Sequence, residues 1–175
     1  YSQAHAADDI LAVMDHLGID KAHIVGLSMG GFATLHFGLR HPGRAVSLVA
    51  AGAGYGADPD YDAQFRQESR DLADRYEREG SEAVAKDYGV GPSRVQLRAK
   101  DPRGWQAFYD ILAEHDAQGA AHTMRGYQAR RPSLYSLEAE FAAMDVPTLI
   151  VNGDEDDHCL QPGLFLKRTI PACGL

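Results

Sequence analysis

Residues 22–41 read AHIVGLSMGGFATLHFGLRH, and the fold follows from how this stretch changes character at its centre. Ala22–Leu27 is short, apolar and β-branched in its middle, which predicts a buried strand. It runs into Gly26-Leu27-Ser28-Met29-Gly30-Gly31, and from Phe32 the apolar residues return at helical spacing. A strand, a tight glycine-rich turn and a helix, with a serine at the apex, is the setting in which G-x-S-x-G has chemical meaning. Standing Ser28 up from so sharp a turn demands a strained backbone. Gly26 and Gly30 are expected to leave out side chains that would collide, and Gly31 to let the helix approach the sheet. The helix start aims N–H groups and partial positive charge at whatever lies over Ser28, which makes the Met29 N–H a candidate oxyanion donor.

Outward from this stretch the chain alternates. Residues 7–17 carry Ile10, Leu11, Val13, Met14 and Leu17 at helical spacing, with Asp8 and Asp9 suited to the positive end and Gly18 to the stop. A helix is predicted from Met29 to Arg40, stopped at His41-Pro42-Gly43, and a second strand at Ala45–Ala51. Two strands flanking a helix make a right-handed βαβ unit. Beyond Gly52 the pattern turns helical and charged, near 60–79, 81–88, 93–100, 103–116 and 118–130. Breakers fall at Gly80, Gly89-Val90-Gly91-Pro92, Asp101-Pro102 and Arg131-Pro132. A short helix near 136–144, a third strand at 148–152, an acidic loop Gly153-Asp154-Glu155-Asp156-Asp157-His158 and a helix over 162–169 complete the chain. The fold class is therefore α/β, a mostly parallel sheet with flanking helices and a helical insertion. The expected divisions are 1–53, 54–140 and 141–175.

VGLSMGG, followed far downstream by VPTLIVNGDEDDH, resembles the serine-nucleophile branch of the α/β-hydrolase superfamily over residues 8–53 and 141–175. The resemblance implies a hydrolase acting on an ester, or a related acyl or carbon–carbon bond, through Ser28. It places the acid at the last Asp of the Gly-Asp-x-Asp pattern, Asp156, with Asp154 as the alternative in a crowded loop. It makes 54–140 a cap. It puts the base and a second oxyanion donor in segments outside these residues, so the chain reads as an internal piece of a longer protein, inactive and poorly folded alone. His5, His16, His23, His36, His41, His115, His122 and His158 each read as surface or packed residues. Tyr55, Trp105, Phe108, Tyr109 and Tyr127 are candidates for a pocket lining or for plain core. The alternative from another class is a non-catalytic binding protein on the same scaffold.

Composition narrows the partners. The chain has 175 residues and a formal net charge of −8, which disfavours nucleic acid and anionic membrane. No apolar run approaches a membrane span. The glycines are not in the order G-x-G-x-x-G, so a nucleotide site ranks last, and no cofactor or metal is expected. Cys159 and Cys173 form neither C-x-x-C nor a disulfide framework, and the expected compartment is a reducing cytoplasm. A small-molecule substrate is the expected partner, and no motif speaks to oligomeric state.

Overall fold

The computed structural model describes residues 1–92 and 94–175. They form two compact units, residues 1–65 with 130–175, and residues 66–129. In the first unit a parallel sheet of four strands takes the order β1-β2-β3-β4. These are β1 (Ala22–Leu27), β2 (Ala45–Ala51), β3 (Thr148–Val151) and β4 (Cys173–Gly174). Leu27 pairs with Ala51 and Ala51 with Val151, so the carboxyl ends of three strands finish level. The chain's last residues thus add a fourth, short strand beside β3.

α1 (Gln3–His16) begins earlier than its acidic pair suggested. Ser2 caps it by accepting from the His5 N–H at 3.1 Å. Asp8 therefore lies inside the helix, and its carboxylate accepts from Arg40 at 2.9 Å and meets His41 Nε2 at 3.0 Å. Gly18, at φ +66°, closes the helix, with its N–H on Asp15 and that of Ile19 on Met14.

α2 (Met29–Arg40) is buried along its length from Gly31 to Gly38. α2 packs closely at Gly38, where a Cβ would strike the Leu48 side chain and lie 3.0 Å from Met144 Sδ. With α8 (Glu138–Ala142) and α9 (Asp157–Thr169), α1 and α2 share one core with the sheet. Its largest fully buried members are Phe37, Phe141, Leu35, Leu48, Leu134 and Ile150. A 3₁₀ turn at Leu134–Leu137 leads into α8.

Ile24, Leu48, Ala50, Thr148 and Ile150 are buried, whereas Val25, Leu27, Leu149 and Val151 on the opposite face are 69%, 72%, 44% and 45% exposed. The helices of this unit pack into the single core behind the first set.

The second unit is helical throughout. α3 (Pro59–Glu79) enters it, followed by α4 (Ser81–Tyr88), α5 (Pro92–Lys100), α6 (Pro102–Ala113) and α7 (Ala117–Thr123), then a π-helical turn at Met124–Gln128. Ala73, Tyr76, Val84 and Ala121 make its small core. Asp101 and Asp116 cap α6 and α7 through Gly104 and Gly119. Arg125 holds Glu77 and Asp74 of α3.

Candidate active site

Ser28 sits between β1 and α2 with φ +53° and ψ −113°, and is the one non-glycine residue at positive φ among those described. Two backbone bonds enforce this conformation. The Ser28 N–H donates to Ala51 O at 2.8 Å, tying the turn to the end of β2, and the Phe32 N–H returns to Ser28 O at 3.1 Å. The strain is local and leaves the hydroxyl exposed. Met29 follows as the first residue of α2, and the Ser28 side chain makes no capping bond to the helix.

The glycines divide their work unequally. A Cβ on Gly26 would overlap the Gly30 carbonyl and stand 2.7 Å from Thr34 Oγ1, so that position is closed to side chains. Gly31 would bring a Cβ within 2.9 Å of Ala51 O and 3.0 Å of Ala53 Cβ. Gly30 differs from expectation. A Cβ there meets nothing within 4 Å, because it points away from the contact that Gly26 makes with the Gly30 backbone.

Asp156 approaches the same strand ends from β3. Its N–H closes the acidic loop on Gly153 O at 3.2 Å, and it stands at the N-cap of α9 without bonding any helix N–H through its side chain. Its Oδ2 lies 3.6 Å from where a Gly52 Cβ would be, and Leu27 Cδ1 lies 3.5 Å from that point. Ser28 and Asp156 are thus both gathered around the carboxyl end of β2. Asp154, Glu155 and Asp157 are exposed, while Asp156 is half-buried.

α9 begins at Asp157 rather than at Pro162, which lies within it. Pro162 lacks an N–H, so one helical bond is given up near the start, where Gly54 packs against Cys159 and His158. The loop after β2 then joins the acidic loop through aromatic rings. The Tyr55 ring meets His158 edge-on at 4.4 Å between centroids, Tyr61 stacks on His158 at 5.9 Å, and the two tyrosine hydroxyls are 3.0 Å apart. Arg131 is buried, its guanidinium 3.8 Å from the Phe32 ring centre and bonded to Tyr55 O.

Four of the histidines have evident employment. His23 Nδ1 is 2.7 Å from Ser47 Oγ at the start of β1, the end of the strand remote from Ser28. His36 is buried in α2, and burial, then Arg40 and Arg131, lowers its pKa to about 4. His41 contacts Asp8, and His158 the tyrosines. His5, His16, His115 and His122 are exposed. Trp105 donates from its ring nitrogen to Gly89 O at 2.6 Å, and Tyr127 is buried in the helical unit.

A family model described as alpha/beta hydrolase fold matches residues 1–164. The chain belongs to that family. Among its α/β-hydrolase relatives, the AB hydrolase superfamily protein YisY of Bacillus subtilis is 29% identical over 89% of this chain and 57% of its own length. A 2-hydroxy-6-oxo-6-phenylhexa-2,4-dienoate hydrolase of Burkholderia cepacia is 49% identical over 26% of this chain and 16% of its own. The solved structure of a thermophilic esterase from Thermogutta terrifontis superimposes with a TM-score of 0.82 at 23% identity, covering 99% of this chain and 62% of that one. The chain therefore spans less than two thirds of each of these α/β-hydrolase relatives. Among the described residues no cluster of three or more His, Cys, Asp or Glu has the arrangement of a metal site, and no helix is long and apolar enough to cross a membrane.

Gly54 and the Tyr55–His158 contact were missed by sequence reasoning.

Proposed function

We propose that this chain carries the nucleophile, one oxyanion donor and the acid of a serine-dependent hydrolase acting on an ester or a related acyl or carbon–carbon bond of a small molecule. The observation that carries this reading is the strained conformation of Ser28, enforced by Ala51 and by the absence of a side chain at Gly26. Strain of this kind persists where the surrounding structure over-determines it, and here it presents an exposed hydroxyl at the start of a helix.

In this mechanism Ser28 Oγ attacks the substrate carbonyl as its proton passes to a histidine base. The Met29 N–H receives the developing oxyanion, aided by the positive end of α2. Collapse expels the leaving group and leaves an acyl-serine, which water then cleaves by the reverse sequence of proton transfers. Asp156 holds the base in the tautomer that can accept the Ser28 proton. The base and a second oxyanion donor are proposed to lie outside these 175 residues, so the chain alone is expected to be inactive. The helical residues between β2 and β3 are proposed to govern substrate choice, and the protein to work in the cytoplasm without a cofactor.

The test is replacement in the full-length protein assayed with a nitrophenyl ester. Ser28→Ala should abolish turnover with the circular dichroism spectrum unchanged. Asp156→Asn should lower kcat on the order of 10⁴-fold, as expected when the base is held in the wrong tautomer. Survival of more than a few per cent of activity in Ser28→Ala would overturn the nucleophile, and a larger loss from Asp154→Asn would move the acid to that residue.

A further inference from the structure

We propose that Asn152 is a positioning residue, whose side-chain amide locks the acidic loop to α9 and so holds Asp156 at the end of β2; this rests on Asp156 being the acid. Asn152 directly follows the last residue of β3, and α9 begins at Asp157. Between them Gly153, Asp154 and Glu155 are exposed, so burial does little to fix the loop. Hydrogen bonds fix it instead. The Asp156 N–H donates to Gly153 O at 3.2 Å, and the Cys159 N–H donates to Asp156 O at 2.8 Å. Asn152 Nδ2 then donates across the loop to Cys159 O at 2.7 Å. The backbone of residue 159 therefore holds the acid's carbonyl with its N–H and is held by the amide at its own carbonyl. Asn152 and Asp156 are tied to one residue in the first turn of α9.

The amide sits in a place shaped for it. A Cβ on Gly163 would overlap Asn152 Nδ2, so α9 leaves out a side chain where the amide lies. The Asn152 Oδ1 atom is buried and meets no donor among the described residues. A buried acceptor without a partner costs stability, so what the amide supplies here is its donor, aimed at Cys159 O. The carboxylate at the other end of this chain depends on that donor. Asp156 stands at the N-cap of α9 and its side chain bonds none of the helix N–H groups, the usual anchor of a capping aspartate. Its direction toward Gly52 thus follows the position of the loop backbone, which Asn152 sets. A displacement of about 1 Å in a catalytic group can cost on the order of 10²-fold in rate.

The experiment compares Asn152→Ala and Asn152→Asp in the full-length protein, with kcat and KM measured separately on a nitrophenyl ester from about pH 5 to 8. Asn152→Ala removes the donor and should lower kcat about tenfold with KM unchanged. Asn152→Asp keeps the shape. Ionised, it sets an oxygen against Cys159 O; protonated, it donates as the amide does. Its kcat relative to the parent at the same pH should therefore rise as pH falls, while the ratio for Asn152→Ala stays flat. In an Asp156→Asn background, Asn152→Ala should cost nothing further, because the carboxylate it positions has gone. Parent kcat in Asn152→Ala would overturn the proposal, as would a flat ratio for Asn152→Asp. An undiminished loss in the Asp156→Asn background would also overturn it, marking a structural role alone. Should Asn152→Ala fail to fold, the pH dependence of the Asn152→Asp ratio decides. If Asp156→Asn leaves kcat intact, the acid assignment falls and this proposal with it. If Asp156→Asn is impaired and Asn152→Ala is not, this proposal alone falls.

Discussion

His36 makes the stability of the core unit depend on pH in a direction fixed by its burial. It is 8% exposed within α2, and its Nε2 has no hydrogen-bond partner. Burial first, then the positive charges of Arg40 and Arg131, depress its pKa from 6.5 to about 4. The unfolded chain therefore binds a proton that the folded chain refuses between pH 6.5 and about 4, so stability rises with pH across that window. The contribution is complete above pH 6.5 and is lost as pH falls toward 4. At about 1.36 kcal/mol per pH unit the whole span amounts to about 3 kcal/mol, a large share of an ordinary domain's stability. Urea unfolding of the full-length protein, followed by far-UV circular dichroism from pH 7 to 4.5, reads it directly. His36→Leu keeps an apolar side chain in the same space and should abolish most of the pH slope that the parent shows over this range. If parent and variant lose stability in parallel over this range, His36 does not titrate as a buried neutral residue and the reasoning fails.

Gly26→Ala should destabilise by about 3 kcal/mol or more, since its Cβ cannot clear the Gly30 carbonyl, whereas Gly30→Ala meets open space and should be neutral or stabilising by up to about 1 kcal/mol. Thermal denaturation of the two variants separates them, and equal effects would refute the unequal roles assigned to the elbow glycines. On the sheet, Leu48→Ala empties a fully buried site and should cost about 2–5 kcal/mol. A loss below about 1 kcal/mol, read from the urea midpoint, would contradict its place in the core.

The sharp turn at Ser28 was legible because a tight strand-to-helix turn calls for particular residues at fixed spacing. A strand, a glycine two before the serine and a returning helical period can be read without a structure, and the Ser28 conformation follows from them. Which strand face the helices of these residues cover was not legible. Val25, Leu27, Leu149 and Val151 are as apolar as the buried Ile24, Leu48 and Ile150, so the period-two pattern that distinguishes a half-exposed strand is missing. Local signals also misled at two helix starts. Asp8 looked like a first-turn residue and is instead a mid-helix partner of Arg40, while Pro162 looked like a beginning and lies inside α9. Asp156 stood out only through the family resemblance, because its distinction from Asp154 and Asp157 is one of burial and loop geometry.

The nucleophile is tested most directly by covalent capture. The full-length protein is treated with a fluorophosphonate, digested and analysed by tandem mass spectrometry. A single phosphonylated residue at Ser28, formed in step with loss of esterase activity and absent from the Ser28→Ala variant, is the expected result. An adduct on another residue, or full inactivation with Ser28 unmodified, would contradict the assignment of Ser28 as the nucleophile.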